Sequence, residues 1–120
     1  MKPEINGTEF GSITIHGENL KHDVLIRLSG KVKKRKKKLS REVYGTSHTM
    51  SLNEAKHVYE KSVKRLIIGT GQNGLLGLSK EAEEYFRKKK CTVDLMTTPE
   101  AVKAWNKAEG DTIGLFHVTC

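Results

Sequence analysis

Residues 65–79, RLIIGTGQNGLLGLS, contain the spacing G-x-G-x-x-G at Gly69, Gly71 and Gly74. The spacing follows an apolar run and precedes an acidic residue, Asp94, in the outline of a dinucleotide-binding fingerprint. In that fingerprint the helix starts inside the glycines, so that its first N–H groups face a pyrophosphate. Here the best helix cap is Ser79, five residues beyond Gly74, and LLGL intervenes with a further glycine. The helix is therefore detached from the loop, and a dinucleotide is not expected. Two uses remain for the loop. Its glycines can serve close packing and positive φ angles. Alternatively, the N–H groups around Gly69, Thr70, Gly71 and Gly74 can form a nest for one anionic group, best placed on Gly71 and Gly74.

The other reactive side chains are few. Thr46, Ser47 and His48 stand together in GTSH, a histidine beside two hydroxyls that suits either an anion or a Ser/Thr turn. His117 falls in the final apolar run, on the face of Ile113, Leu115 and Thr119. A histidine among such neighbours reads first as a hydrogen-bonded core residue and second as a ligand. His117-x-x-Cys120 is half a metal site at most, since neither C-x-x-C nor H-x-x-x-H occurs, and no metal or other cofactor is expected. A Cys120–histidine nucleophile pair would have little scaffold to hold its attack geometry. No catalytic set emerges.

The net charge is +8, and residues 31–41 hold eight basic and no acidic side chains, leaving the remainder neutral. Lys33, Lys34, Arg35, Lys36, Lys37 and Lys38 form a basic strip. Such a strip can bind phosphate backbones, although without interleaved aromatics it cannot stack bases. Its other reading, the favoured one, is a solvated edge strand whose lysines block edge-to-edge pairing.

These residues must be carried by a scaffold of 120 residues, the size of one domain, spanning 1–120. No apolar run is long enough for a membrane helix, no secretory leader pattern opens the chain, and two cysteines make no disulfide framework. A cytoplasmic protein without a membrane partner is expected. Residues 10–16 alternate as a half-buried strand, with Ile13 and Ile15 on one face. Residues 22–28 read as a strand buried on both sides, and Ser29-Gly30 turns the chain into the basic strip as a hairpin or meander. Residues 39–50 read as a loop. Ser51 and Glu54 fit a capping box that opens a helix over 52–64. The second half alternates: a strand at 66–68, a helix from Ser79, a strand at 92–96, a helix from Thr98-Pro99 to Gly110, and a strand at 113–118. That rhythm predicts α/β crossovers with largely parallel pairing. Ligands gather beyond the carboxyl ends of such strands. Thr119 and Cys120 join the Gly69 loop there if the last strand is parallel, and lie at the far edge if it is antiparallel.

Five stretches occur in order along nearly the whole chain: FGSITIHG at 10–17, GTSH at 45–48, LIIGTGQNGLLGLS at 66–79, TPEAVKAWN at 98–106 and HVTC at 117–120. On these the chain resembles a family of small domains of unknown function that includes an animal adipogenesis-associated protein and a mitochondrial complex I assembly factor. GTSH and HVTC make it similar to archaeal or bacterial members. The resemblance implies one α/β domain with a mixed central sheet, packed helices and an N-terminal β-hairpin region. It implies roles in assembly or regulation and brings no catalytic residues with it. The seven basic residues at 31–38 exceed what the family leads one to expect.

The expectation is a non-enzymatic interaction or assembly-type domain with a protein partner, acting as monomer or homodimer. The alternatives are a small-anion or metabolite-binding domain, enzymatic or not, built on loops 69–74 and 45–48, and a nucleic-acid binder using the strip.

Overall fold

The computed structural model describes residues 2–120. Three strands open the chain: β1 (Ile5–Glu9), β2 (Ser12–Ile15) and β3 (Glu18–Leu20), paired antiparallel in that order. The alternating run is thus shorter than 10–16, and Phe10-Gly11 is the turn between β1 and β2. Ile5, Ile13 and Ile15 are buried together and hold this small sheet onto the rest of the molecule.

A five-stranded sheet forms the centre, in the order β5 (Val32–Lys34), β4 (Val24–Ile26), β10 (Thr112–Phe116), β7 (Arg65–Gly69) and β9 (Thr92–Met96). β5 and β4 form the expected hairpin, β4 is antiparallel to β10, and β10, β7 and β9 are mutually parallel. Successive residues point to opposite faces. Leu25, Leu66, Ile68, Ile113 and Leu115 therefore face one core, while Val24, Ile26, Ile67 and Phe116 face the other. The first core is closed by α2 (Leu52–Val58) and α3 (Lys80–Lys88), the second by α4 (Thr98–Lys107) and the N-terminal sheet. At about 25 cal/mol per Å2, such two-sided burial is the main source of stability.

The caps follow the side chains. Ser79 Oγ accepts from Ala82 N at 3.1 Å and starts α3, and proline stands in the first turn of α4. Two expectations need correction. Residues 39–50 are not all loop: α1 (Lys38–Tyr44) ends on Gly45, whose φ of +70° closes the helix, and β6 (Thr49–Met50) follows. The second helix stops at Val58 rather than 64. Tyr59 turns extended and meets the Tyr85 ring edge-on, and the Glu60 carboxylate accepts from Leu28 N at 2.9 Å. These tertiary contacts pull both residues away from helical geometry.

The LLGL connector also has a structure. β8 (Gly77–Leu78) pairs in parallel with β6, Thr49 opposite Gly77 and Met50 opposite Leu78. That short ladder ties the GTSH loop to the glycine turn. Among the described residues, no helix is long and apolar enough to cross a membrane.

Candidate functional site

The register of the central sheet lines up three ionisable residues at one edge. Phe116 pairs with Val24, and Val24 with Lys34, so the next row holds His117, Asp23 and Arg35. The ladder continues past the strand ends, with Arg35 N donating to Asp23 O at 3.0 Å and His117 N to Gly69 O at 2.9 Å. All three side chains lie on the α2 face, in line with Leu115, Leu25 and Lys33, and Glu54 of α2 meets them there.

Arg35 is the hub. Its Nε and Nη2 donate to the two oxygens of Glu54 at 2.7 and 3.0 Å, its Nη1 to Asp23 Oδ2 at 3.0 Å, and its Nη2 also to Ser47 O at 2.8 Å. Asp23 Oδ2 also lies 2.8 Å from His117 Nδ1 and 3.7 Å from Lys37 Nζ, while Oδ1 accepts from Val118 N at 2.9 Å. An ionised carboxylate only accepts, so the proton of this contact sits on Nδ1. The Ser40 hydroxyl donates to Glu54 and accepts from Ser51 N at 2.9 Å. Asp23, Arg35, Glu54, Ser40 and His117 are all buried. Burial opposes ionisation of Asp23, but the His117 hydrogen bond, the Val118 N–H and the charges of His117 and Lys37 outweigh it and hold the carboxyl down to about 2. For Arg35 burial works against the charge, and Glu54 and Asp23 reverse that and raise its pKa. Among the described residues, no buried side-chain nitrogen or oxygen lacks a hydrogen-bond partner.

The glycine turn abuts this row. Gly71 has φ of +108°, and a Cβ there would lie 2.2 Å from the Cys120 carbonyl carbon and 2.8 Å from the His117 ring. The Gly69 position is also closed, because a Cβ would meet Thr98 Oγ1 at 2.8 Å. The donors of the turn are engaged within the chain. Gly71 N donates to Thr98 Oγ1 at 2.9 Å, and the Thr98 hydroxyl passes the bond on to His117 O at 2.5 Å. Gln72 N donates to Thr119 O at 2.7 Å, and Asn73 N and Leu75 N to the Cys120 main-chain oxygen at 3.0 and 3.2 Å. Gly74 N reaches Gly71 O at 3.3 Å, and Thr70 is tied through both N and Oγ1 to Met96 O. The two N–H groups expected to hold an external anion, those of Gly71 and Gly74, thus already have internal acceptors. The turn clasps residues 117–120.

The GTSH loop closes over the same edge. Thr46 Oγ1 accepts from His48 N at 3.1 Å in a Ser/Thr turn, Ser47 O takes the Arg35 bond, and His48 O accepts from Gly77 N at 2.9 Å. The His48 and His117 rings meet edge to face with centroids 5.4 Å apart. Thr119 Oγ1 lies 3.4 Å from His117 Nε2. Because β10 is parallel to β7, the structure brings His48, His117, Gly71, Thr119 and Cys120 together. The surface concavities lined by Leu78, Phe86 and Leu95 (about 470 Å3) and by Leu25, Arg27 and His57 (about 220 Å3) lie elsewhere. Among the described residues, no group of three or more His, Cys, Asp or Glu is placed to hold a metal ion.

The basic strip divides in the fold. Arg35 is buried in the network, Lys37 leans toward Asp23 and Lys38 opens α1, while Lys33 and Lys34 of edge strand β5 line one concavity with Lys36, Arg27 and His57. Residues missed from the sequence are Asp23, Arg35 as a core residue, Glu54 and Ser40. A signal existed for Arg35: it is the one arginine among six lysines over 31–38, and only arginine offers a planar fork to two carboxylates. For Glu54 the capping box offers a complete local explanation. Half of that box forms, with Ser51 Oγ accepting from Glu54 N at 3.1 Å, while the Glu54 carboxylate turns inward to Arg35.

The fold and the inward-facing polar row define a mixed α/β domain with helices and a small sheet packed on opposite faces. The chain belongs to the family described as protein of unknown function (DUF498/DUF598), matched over residues 5–115. It is similar to the conserved hypothetical protein PH1505 of Pyrococcus horikoshii OT3, at 29% identity over 98% of this chain and 99% of that one, with a TM-score of 0.91. It is also similar to MT938, at 31% identity over 99% and 100% of the two chains, with a TM-score of 0.82. A Mth938-like domain of Bordetella pertussis, at 16% identity over 97% and 85%, shares the fold with a TM-score of 0.63.

Proposed function

We propose that this chain is a non-enzymatic interaction or assembly-type domain. The observation that supports it is the direction of its chemistry. The residue types that could catalyse, Asp23, Arg35, Glu54 and His117, are buried and bonded to one another, which makes them a clamp between strands and helices. Outward, by contrast, the surface presents large apolar side chains: Phe10 in the β1–β2 turn, Val43 and Tyr44 of α1, Leu75 in the glycine turn and Leu95 of β9. Large exposed apolar side chains offer contact points for another protein. The resemblance to a family that includes an assembly factor points the same way. Purification from the cells that express the chain, under mild conditions, should yield a second protein in constant ratio to it. Recovery of the chain alone would contradict the reading.

A second reading is favoured by one observation, the meeting of His48, His117, Gly71 and Thr119 at one edge. In that reading the edge holds a small anion or metabolite at the partly exposed His48 imidazole. A thermal-shift screen with nucleotides and phosphorylated metabolites separates the two. A ligand at a hundred times its Kd adds about 2.7 kcal/mol of stability, and no compound in the screen should do so if the first reading holds.

A further inference from the structure

The two outer strands of the central sheet differ in how they meet solvent. β5 is three residues long and carries Lys33 and Lys34, the usual protection of an edge against further pairing. β9, at the other edge, is five residues long, TVDLM, with no lysine, no proline and no irregularity in its register with β7. Thr92 N donates to Lys64 O, and Met96 O accepts from Thr70 N, so Thr92, Asp94 and Met96 direct their main-chain groups toward β7. By the alternation of a parallel ladder, the N–H and C=O of Val93 and Leu95 then point away from the sheet. The Leu95 side chain is 47% exposed. It lies with Val93, Phe86 and Leu78 along a groove of about 470 Å3 between β9 and α3. Arg87 and Lys90 stand at the Thr92 end of that groove, with Glu83 on its lining and Glu84 paired to Arg87.

We propose that the free edge of β9 takes up an extended segment of a partner protein, with an apolar and an acidic side chain two residues apart on the face toward α3, as a sixth strand of the central sheet. This deepens the interaction reading and rests on it. Main-chain bonds to Val93 and Leu95 set the register of the incoming strand. One apolar side chain of the segment fills the groove over Phe86, and an acidic one two residues along, on the same face, meets Lys90. A second copy of this chain is a poorer occupant in the register centred on Asp94. Two β9 strands paired antiparallel about Asp94 would set one Asp94 directly opposite the other, and like charges opposite one another destabilise a ladder.

The test uses the whole chain and a phage-displayed library of random dodecapeptides. Enriched peptides should place an apolar and an acidic residue two positions apart and lack proline in the shared core. A synthetic copy of the best one should slow amide hydrogen exchange at Val93 and Leu95. Leu95→Pro removes an outward N–H without touching the β7–β9 ladder, and should weaken that peptide by about tenfold, the worth of one to two hydrogen bonds. Arg87→Glu combined with Lys90→Glu should weaken it as well, and this pair leaves the strand intact should the proline variant fold poorly. The proposal is overturned by an absence of enriched peptides, by peptides that bind both variants as well as the wild type, or by unchanged exchange at Val93 and Leu95. A concentration-dependent homodimer abolished by Leu95→Pro would overturn it too. If Leu95→Pro still co-purifies with its cellular partner, the edge assignment falls and the interaction reading stands; if the wild type has no partner, the reading itself falls.

Discussion

At the residue scale, Asp23 is the most consequential side chain. Its carboxyl is held at about 2 against an ordinary value of 3.8. A depressed folded-state value means that the stabilisation is present above about pH 4 and is lost as pH falls toward 2. Asp23→Asn should therefore lower stability by about 3 kcal/mol at neutral pH, because Arg35 and His117 lose a buried charged partner. It should also remove most of the wild-type decline in stability between pH 4 and 2, and urea titrations of both proteins across that range read the difference. Gly71→Ala meets main chain at 2.2 Å with φ of +108°, so a loss of about 3 kcal/mol is expected in the same titration. The two thiols should separate kinetically. Burial pushes Cys91 up to about 11, whereas Cys120 is partly exposed. One thiol should react with an aromatic disulfide reagent at pH 8 in the native protein, and the second only on unfolding. His117 and Gly71 were legible in the sequence as residues under constraint. Asp23, Glu54 and Arg35 were not, because each had a sufficient local explanation: the start of an apolar run, a capping box and a lysine-rich strip. Their common role is set by the pairing of β5, β4 and β10, which no local pattern encodes.

At the element scale, the parallel half was legible to within a residue or two. Apolar runs, serine caps and Thr98-Pro99 mark β7, α3, β9 and α4 without help from tertiary structure. The elements misread are those that tertiary contacts decide. α1 has only Ser40 buried, anchored to Glu54 and Ser51 of another helix, so its seven residues show no apolar stripe to read. The basic strip illustrates the same point electrostatically. With Arg35 withdrawn, Lys37 turned toward Asp23 and Lys38 opening α1, only Lys33, Lys34 and Lys36 of the strip share a concavity, a small one that also takes in Arg27. A duplex or single strand needs several aligned cations to release counterions. Filter binding at about 50 mM salt, where such contacts are strongest, should retain no RNA. Retention that falls steeply with added salt and is lost on replacing Lys33, Lys34 and Lys36 would show the strip to be a binding surface.

At the scale of the whole molecule, one polar cluster is buried beside two apolar cores, and a few large apolar side chains remain exposed. Two cores on opposite faces of one sheet, locked at one edge by Asp23, Arg35, Glu54 and His117, make a stiff body. Its features open to a partner are the exposed side chains at the β1–β2 turn, α1, the glycine turn and β9. The glycine motif fits that plan as a clasp on residues 117–120. The mixed α/β architecture was readable because strand–helix alternation leaves few topologies, while alternation does not specify the surfaces on which the proposed interaction rests. The most direct test of an interaction role is the size of this chain in fresh extract of the cells that express it, by gel filtration with detection of the chain across the column. Elution in an assembly distinctly larger than the purified chain alone, collapsing to the size of the free chain when the assembly is dissociated, is the predicted result. Elution at the size of the purified chain alone, under every mild condition tried, would contradict it.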